Sequence, residues 1–290
     1  MQNHDYYLRP GKMTSAGRYA PLTEKLPRDI PALAAVGQGL IVHELMAADY
    51  GAPLSEADRA SVHIRPAEEI LAQIVARDDR PLEIAREPSG RLAGTCRHFT
   101  VLMVTLLRAL GVPARARCGF GAYFGTGMFE DHWVCEYWNS DQARWILVDA
   151  QIDDIQRGWF KIGFDVTDVP RDQFLVAGQA WDQVRAGTAD PGDFGLSVIK
   201  EYGDWWIAAN LVRDASALLN LELLPWDVWG AMPEPGEPID DELAALFDRL
   251  ARLTQAPDRC FAELRELGQD DRLRVPPVVY SAARDRPEAI

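Results

Sequence analysis

The chain has 290 residues, with 30 Lys+Arg against 44 Asp+Glu and a formal charge of −14. That acidic balance speaks against a general nucleic-acid binder and against a peripheral protein of anionic membranes, since both need a basic face. At 48% hydrophobic and 26% charged residues the composition is that of a soluble globular protein whose core needs neither disulfide nor metal.

No run of about 18 apolar residues is present, so no membrane span is expected. The first twenty residues lack the apolar stretch of a signal peptide. The four cysteines, Cys96, Cys118, Cys135 and Cys260, form no C-x-x-C pair. Neither a disulfide framework nor a zinc ribbon is indicated, and a reducing cytoplasm is the expected compartment.

Residues 1–90 read as an N-terminal helical segment packing on the core. Ile30, Leu33, Val36, Leu40, Ile41 and Leu45 recur at helical spacing, which predicts a helix over 29–50. A second amphipathic helix follows Pro66, a residue suited to the first helical turn. It carries Ile70, Leu71, Ile74 and Val75 on one side. The central stretch, 91–165, opens with a helix over 95–110 that is apolar nearly all round and therefore buried. Gly111 and Pro113 stop it. Three strand-like runs follow, at 114–124, 132–138 and 144–149.

Residues 166–290 read as a helical C-terminal region that covers a substrate pocket. Pro170 opens a helical pattern with Phe174, Leu175, Ala177 and Trp181. Trp205 to Leu224 is a long apolar-periodic run, two short helices span 240–253 and 257–267, and an extended Pro-rich tail ends the chain. The fold class is α+β, with a small antiparallel sheet set among helices.

The chemistry concentrates in the central stretch. Cys96 stands in the first turn of the buried helix, where the helix dipole favours thiolate, the nucleophilic form. A buried structural cysteine is the competing reading. On the strands, alternation puts His132 and Asp149 on faces that can meet. A four-residue loop at 139–142 pairs Trp138 with Ala143 and sets His132 directly opposite Asp149. Cβ atoms in such a pair lie about 4.5–5.5 Å apart, close enough for the carboxylate to orient the imidazole. Thr95, Trp133 and Arg97 flank these residues as substrate-binding or oxyanion candidates. Arg97, Arg115, Arg117 and Arg144 are expected to solvate strand faces, with attraction of an anionic substrate as the alternative. Cys118 and Cys135 read as small core hydrophobes. His98, turned about 200° from Cys96, reads as a packed or capping histidine.

Four blocks resemble the core signature of the transglutaminase-like superfamily, whose fold is similar to papain-like cysteine proteases. They are Gly94-Thr95-Cys96, Leu107 to Arg115 (LRALGVPAR), Asp131 to Trp138 (DHWVCEYW) and Trp145 to Asp149 (WILVD). The resemblance covers about 90–155. It implies a papain/transglutaminase-like core with Cys96 as nucleophile, His132 as general base and acid, and Asp149 as the orienting carboxylate. No metal or other cofactor is implied.

The expected activity is acyl transfer through a thioester on Cys96, from an amide or thioester donor, ending in hydrolysis or amide formation. The expected partners are a small-molecule or peptidyl acyl substrate, with an acyl or peptidyl carrier protein as a further option. A Dieckmann-type cyclase releasing a tetramate-like product from a carrier-protein thioester is one alternative. A non-catalytic transglutaminase-like interaction module is another. A metal site built from Cys96, Cys118, Cys135 and His132 ranks last, because the spacings match no usual ligand pattern.

Overall fold

The computed structural model describes residues 3–290, and the chain divides into two units. Unit 1 is the chain up to Ala116 together with Val134–Val169; unit 2 is Arg117–Trp133 together with Pro170–Ile290. The architecture is α+β.

Unit 1 begins with α1 (Asn3–Leu8) and α2 (Ile30–Leu40), followed by β1 (Ile41–His43). The Asp29 carboxylate caps α2, accepting from the Ala32 N–H at 3.0 Å. The helix predicted to run to residue 50 ends instead at Leu40. Ile41 adopts an extended backbone, φ −120° and ψ 144°. The β-branched Ile41 and Val42 pair in parallel with β2 (Leu92–Gly94), Ile41 opposite Leu92. Between them lie the short α3 (Glu56–Arg59) and α4 (Ala67–Arg77). Pro66 is the residue before α4, not part of its first turn, and Ile70, Leu71 and Ile74 are buried.

Then comes α5 (Cys96–Ala109), buried at every position from Cys96 to Arg108. Its end follows the predicted stop. Gly111 takes φ +80°, its N–H donates to the Arg108 carbonyl, and the Val112 N–H donates to the Leu107 carbonyl. This is the paired C-terminal bonding that a left-handed glycine allows. The unit is completed by the start of β3 (Ala114–Gly121), the end of β4 (Phe129–Asn139), β5 (Arg144–Val148) and α6 (Asp154–Phe160).

Unit 2 holds the rest of β3 and β4 with β6 (Phe174–Val176), β7 (Phe194–Leu196) and β8 (Glu201–Tyr202). Their order is β6-β3-β4-β7-β8. The sheet is not purely antiparallel as expected, because β7 pairs in parallel with β4, Phe129 opposite Phe194. These two rings stack with centroids 4.8 Å apart, and Phe120 meets Phe194 edge-on at 5.2 Å. The pattern after Pro170 begins as the strand β6 and only then becomes α7 (Ala177–Arg185). The helical run from Trp205 resolves into α8 (Asp204–Leu218), buried from Ile207 onward. After β9 (Asp227–Val228) come α9 (Asp241–Gln255) and α10 (Pro257–Leu267), close to their predicted limits. The tail is not merely extended. β10 (Val278–Ser281) and β11 (Arg286–Ala289) form a hairpin, and β10 also pairs with β9.

Gly119 allows β3 and β6 to meet. A Cβ there would lie 2.1 Å from the Leu175 carbonyl oxygen and 2.8 Å from the Val176 Cα, both backbone atoms that cannot yield like a side chain. Gly119→Ala is therefore expected to destabilise the protein by about 1–3 kcal/mol. Urea unfolding with an unchanged midpoint would refute this account of the β3–β6 contact.

Among the described residues, no helix is long and apolar enough to cross a membrane. Nor does any group of three or more His, Cys, Asp or Glu stand where it could hold a metal ion.

Candidate active site

In unit 1, β2 runs directly into α5 through Thr95, whose backbone is extended at φ −117° and ψ 175°. Cys96 is the first residue of the helix and is buried. Close packing fixes this junction. A Cβ on Gly94 would lie 2.9 Å from both His98 Cβ and Ile41 Cγ2. The Thr95 N–H donates to His98 Nδ1 at 3.1 Å, so it is already engaged. His98 is completely buried. Burial, and then the neighbouring Arg97 charge, push its pKa well below the usual range and keep it neutral. His98 is thus a capping histidine, as its spacing suggested. The Arg97 side chain is fully buried and donates to the Ile64 carbonyl at 3.4 Å. That corrects the expectation that Arg97 binds substrate: its guanidinium packs inside unit 1.

Asp149 follows β5 immediately and is 1% exposed. Its N–H donates to the Val166 carbonyl at 2.8 Å, and its Oδ1 accepts from the Gln151 N–H at 3.0 Å. The hairpin that leads to it has a different register from the one expected. Trp138 pairs with Trp145 and Asn139 with Arg144. The loop is therefore 140–143, with Ala143 at φ +50°. One step beyond the Cys135–Val148 pair, the position opposite Asp149 is Val134 and not His132. The offset is two residues, so each side chain keeps its expected face.

His132 lies on β4 in unit 2 and is 2% exposed. Its ring stands edge-on to Phe124, with centroids 4.9 Å apart, and to Tyr123 at 6.0 Å. The neighbouring Asp131 is anchored to α8: its Oδ2 accepts from Trp206 Nε1 at 2.7 Å and Asn210 Nδ2 at 3.0 Å. Burial raises the Asp131 pKa, and the nearby Arg213 charge opposes the rise. Trp133 is buried, and its Nε1–H has no hydrogen-bond partner. Alternation along β4 turns it to the face opposite His132.

Three of the four arginines, Arg97, Arg115 and Arg117, are buried and do not solvate strand faces. Arg115 is buried in unit 1, paired to Glu136 at 2.6 Å and lying over the Trp145 ring at 3.8 Å. In unit 2, Arg117 is buried against Asp214, with bonds of 3.0 and 2.8 Å. Only Arg144 of the four is exposed, and it pairs with Asp168. Cys118 and Cys135 are fully buried, and burial pushes the Cys135 thiol well above its ordinary pKa.

A polar recess beside Asp149 went unread in the sequence. It is narrow and partly open to solvent, and its lining includes Gln38, His43, Tyr50, Phe99, Gln151 and Gln156. Phe99 lies one turn beyond Cys96 on α5. The available signal was Asp153 in Asp153-Asp154-Ile155-Gln156, a helix N-cap pattern. The Asp153 Oδ1 indeed accepts from the Gln156 N–H at 2.9 Å.

Residues 49–150 match the family model described as the transglutaminase-like superfamily. About a third of the chain is thus similar to that family. That segment takes in β2, α5 and the β4–β5 hairpin, and therefore Cys96, His132 and Asp149. The chain is also similar to a solved structure from Cytophaga hutchinsonii described as a candidate cysteine protease. The two are 16% identical, the TM-score is 0.37, and the match covers 61% of this chain and 46% of that one. No curated protein matches the sequence.

Proposed function

We propose that this transglutaminase-like protein is a cysteine-dependent acyl-transfer enzyme that forms a thioester on Cys96. The observation that supports this reading best is Cys96 as the first residue of α5 within the matched segment. A helix N-terminus stabilises thiolate, and its first N–H groups have no partner within the helix.

In the proposed reaction, His132 takes the Cys96 thiol proton, and Asp149 orients the imidazole and stabilises its charged form. The Sγ attacks the acyl carbon of an amide or thioester. The Cys96 N–H donates to the resulting oxyanion. Collapse expels an amine or thiol, which leaves with the proton from His132. An acceptor then attacks the thioester, giving its proton to His132, and collapse returns the Cys96 thiolate. Water as acceptor makes the enzyme a hydrolase, and an amine makes it an amide-forming transferase. A carbon nucleophile within the acyl chain makes it a cyclase of the Dieckmann type, in which case a carrier-protein thioester is the donor.

The test is intact-protein mass spectrometry after incubation with an acyl thioester of N-acetylcysteamine. A gain of one acyl mass, mapped to Cys96, is expected. An unmodified protein, with neither thioesters nor peptide amides consumed, would leave the fold as an interaction module and overturn the proposal. Adding water alone, an amine or a carrier-bound β-ketoamide then sorts the three acceptors by product.

A further inference from the structure

The side chains behind Asp149 form a chain of hydrogen bonds with a single direction. The Tyr50 hydroxyl meets Asp153 Oδ2 at 2.6 Å. A carboxylate only accepts, so the phenol must be the donor. Burial, and then the bond to Asp153, hold the Tyr50 phenol above its usual pKa, which keeps that proton in place. With its proton committed, the Tyr50 oxygen accepts from Gln156 Nε2 at 3.1 Å. The carbonyl end of Gln156 must then face away from Tyr50, where it accepts from Gln151 Nε2 at 3.1 Å. Each amide is thereby fixed in one orientation by the partner before it. The Gln151 Oε1 ends the chain, buried and without a hydrogen-bond partner. The main chain of the same residue donates to Asp149 Oδ1 at 3.0 Å.

We infer that Asp153, Tyr50, Gln156 and Gln151 are positioning residues for Asp149: their one-way chain of bonds holds Gln151, whose N–H holds the Asp149 carboxylate in its working orientation. The inference rests on the reading of Asp149 as the carboxylate of the catalytic set. None of the four touches the reacting atoms. They act by denying Asp149 alternative rotamers, and a carboxylate displaced by a fraction of an ångström orients the imidazole less well. Both ends of the chain are pinned independently. Asp153 caps α6 through its other oxygen, Oδ1. Asp149 is held by its own N–H to Val166.

Two variants test this with the full-length protein. Tyr50→Phe removes one oxygen and retains the ring that packs edge-on against Trp159, with centroids 5.1 Å apart. Gln151→Met retains length and removes both amide groups while leaving the main-chain N–H. Each is expected to lower kcat for thioester turnover about tenfold with KM unchanged. Asp153→Asn has a single acceptor oxygen where the carboxylate has two, so it cannot serve both the Tyr50 phenol and the Gln156 N–H, and it too is expected to lower kcat. A purely structural role would lower the unfolding midpoint and leave the kcat of the folded fraction intact. Wild-type kcat in both Tyr50→Phe and Gln151→Met would overturn the positioning role alone. A wild-type protein that never acylates Cys96 would overturn the catalytic reading as well, so the two failures are told apart.

Discussion

Cys96→Ala is expected to remain at its unmodified mass in acyl thioester while the wild type gains one acyl group. Turnover should fall by a factor on the order of 10⁵–10⁶, the scale on which enzymes lose rate when a catalytic nucleophile is removed. Stability should change little, because the substitution removes one sulfur from a small buried side chain, a loss of about 1 kcal/mol. Thiol alkylation provides a second readout. Cys118 and Cys135 are sealed in the core, and burial disfavours the Cys135 thiolate. Cys260 is partly exposed. The variant should therefore react with iodoacetamide at Cys260 and nowhere else, while the folded wild type gains a second adduct at Cys96. Acylation that persists in Cys96→Ala would transfer the nucleophile to another residue and end the present assignment.

Arg117→Met is expected to cost about 3–5 kcal/mol of stability. Within unit 2 the Arg117 fork grips both oxygens of Asp214 and also donates to the Thr254 carbonyl at 2.9 Å. Asp214 lies on α8 and is completely buried. It has a further bond from the Cys118 N–H at 2.9 Å. Deleting the arginine strands a carboxylate where water cannot reach it, and that penalty exceeds the net worth of the pair. The double variant Arg117→Met with Asp214→Leu should recover part of the loss, giving a coupling of about 1–3 kcal/mol in a double-mutant cycle. Urea unfolding measures both. A loss below about 1 kcal/mol for the single variant would mean that solvent reaches Asp214 after all.

The helix that carries Cys96 was legible because every local signal agrees. The small polar Thr95 precedes it, its apolar positions run all round, and Gly111 takes the left-handed backbone that ends it. Ile41 misled because a helical period continues across it while its partner, Leu92, lies far along the chain. Phe174–Val176 misled for the same reason, since pairing with β3 decides a three-residue strand that local periodicity cannot reveal. The β4–β5 register was wrong by two because the turn uses Ala143 in the left-handed region, which a residue with a Cβ seldom adopts. The arginines misled because charge was read as exposure. Glu136 and Asp214 supply the buried countercharges, and neither is adjacent in sequence to its partner. The polar chain behind Asp149 has no period at all: Tyr50 and Asp153 stand 103 positions apart.

The burial of α5 on all sides governs how the protein opens as well as how it packs. A helix with no solvent-facing side cannot fray without losing core contacts, so its amide protons should exchange with deuterium at the rate of global unfolding. Heating or dilute denaturant would then dismantle peripheral segments first and leave the Cys96 helix intact until the final cooperative step.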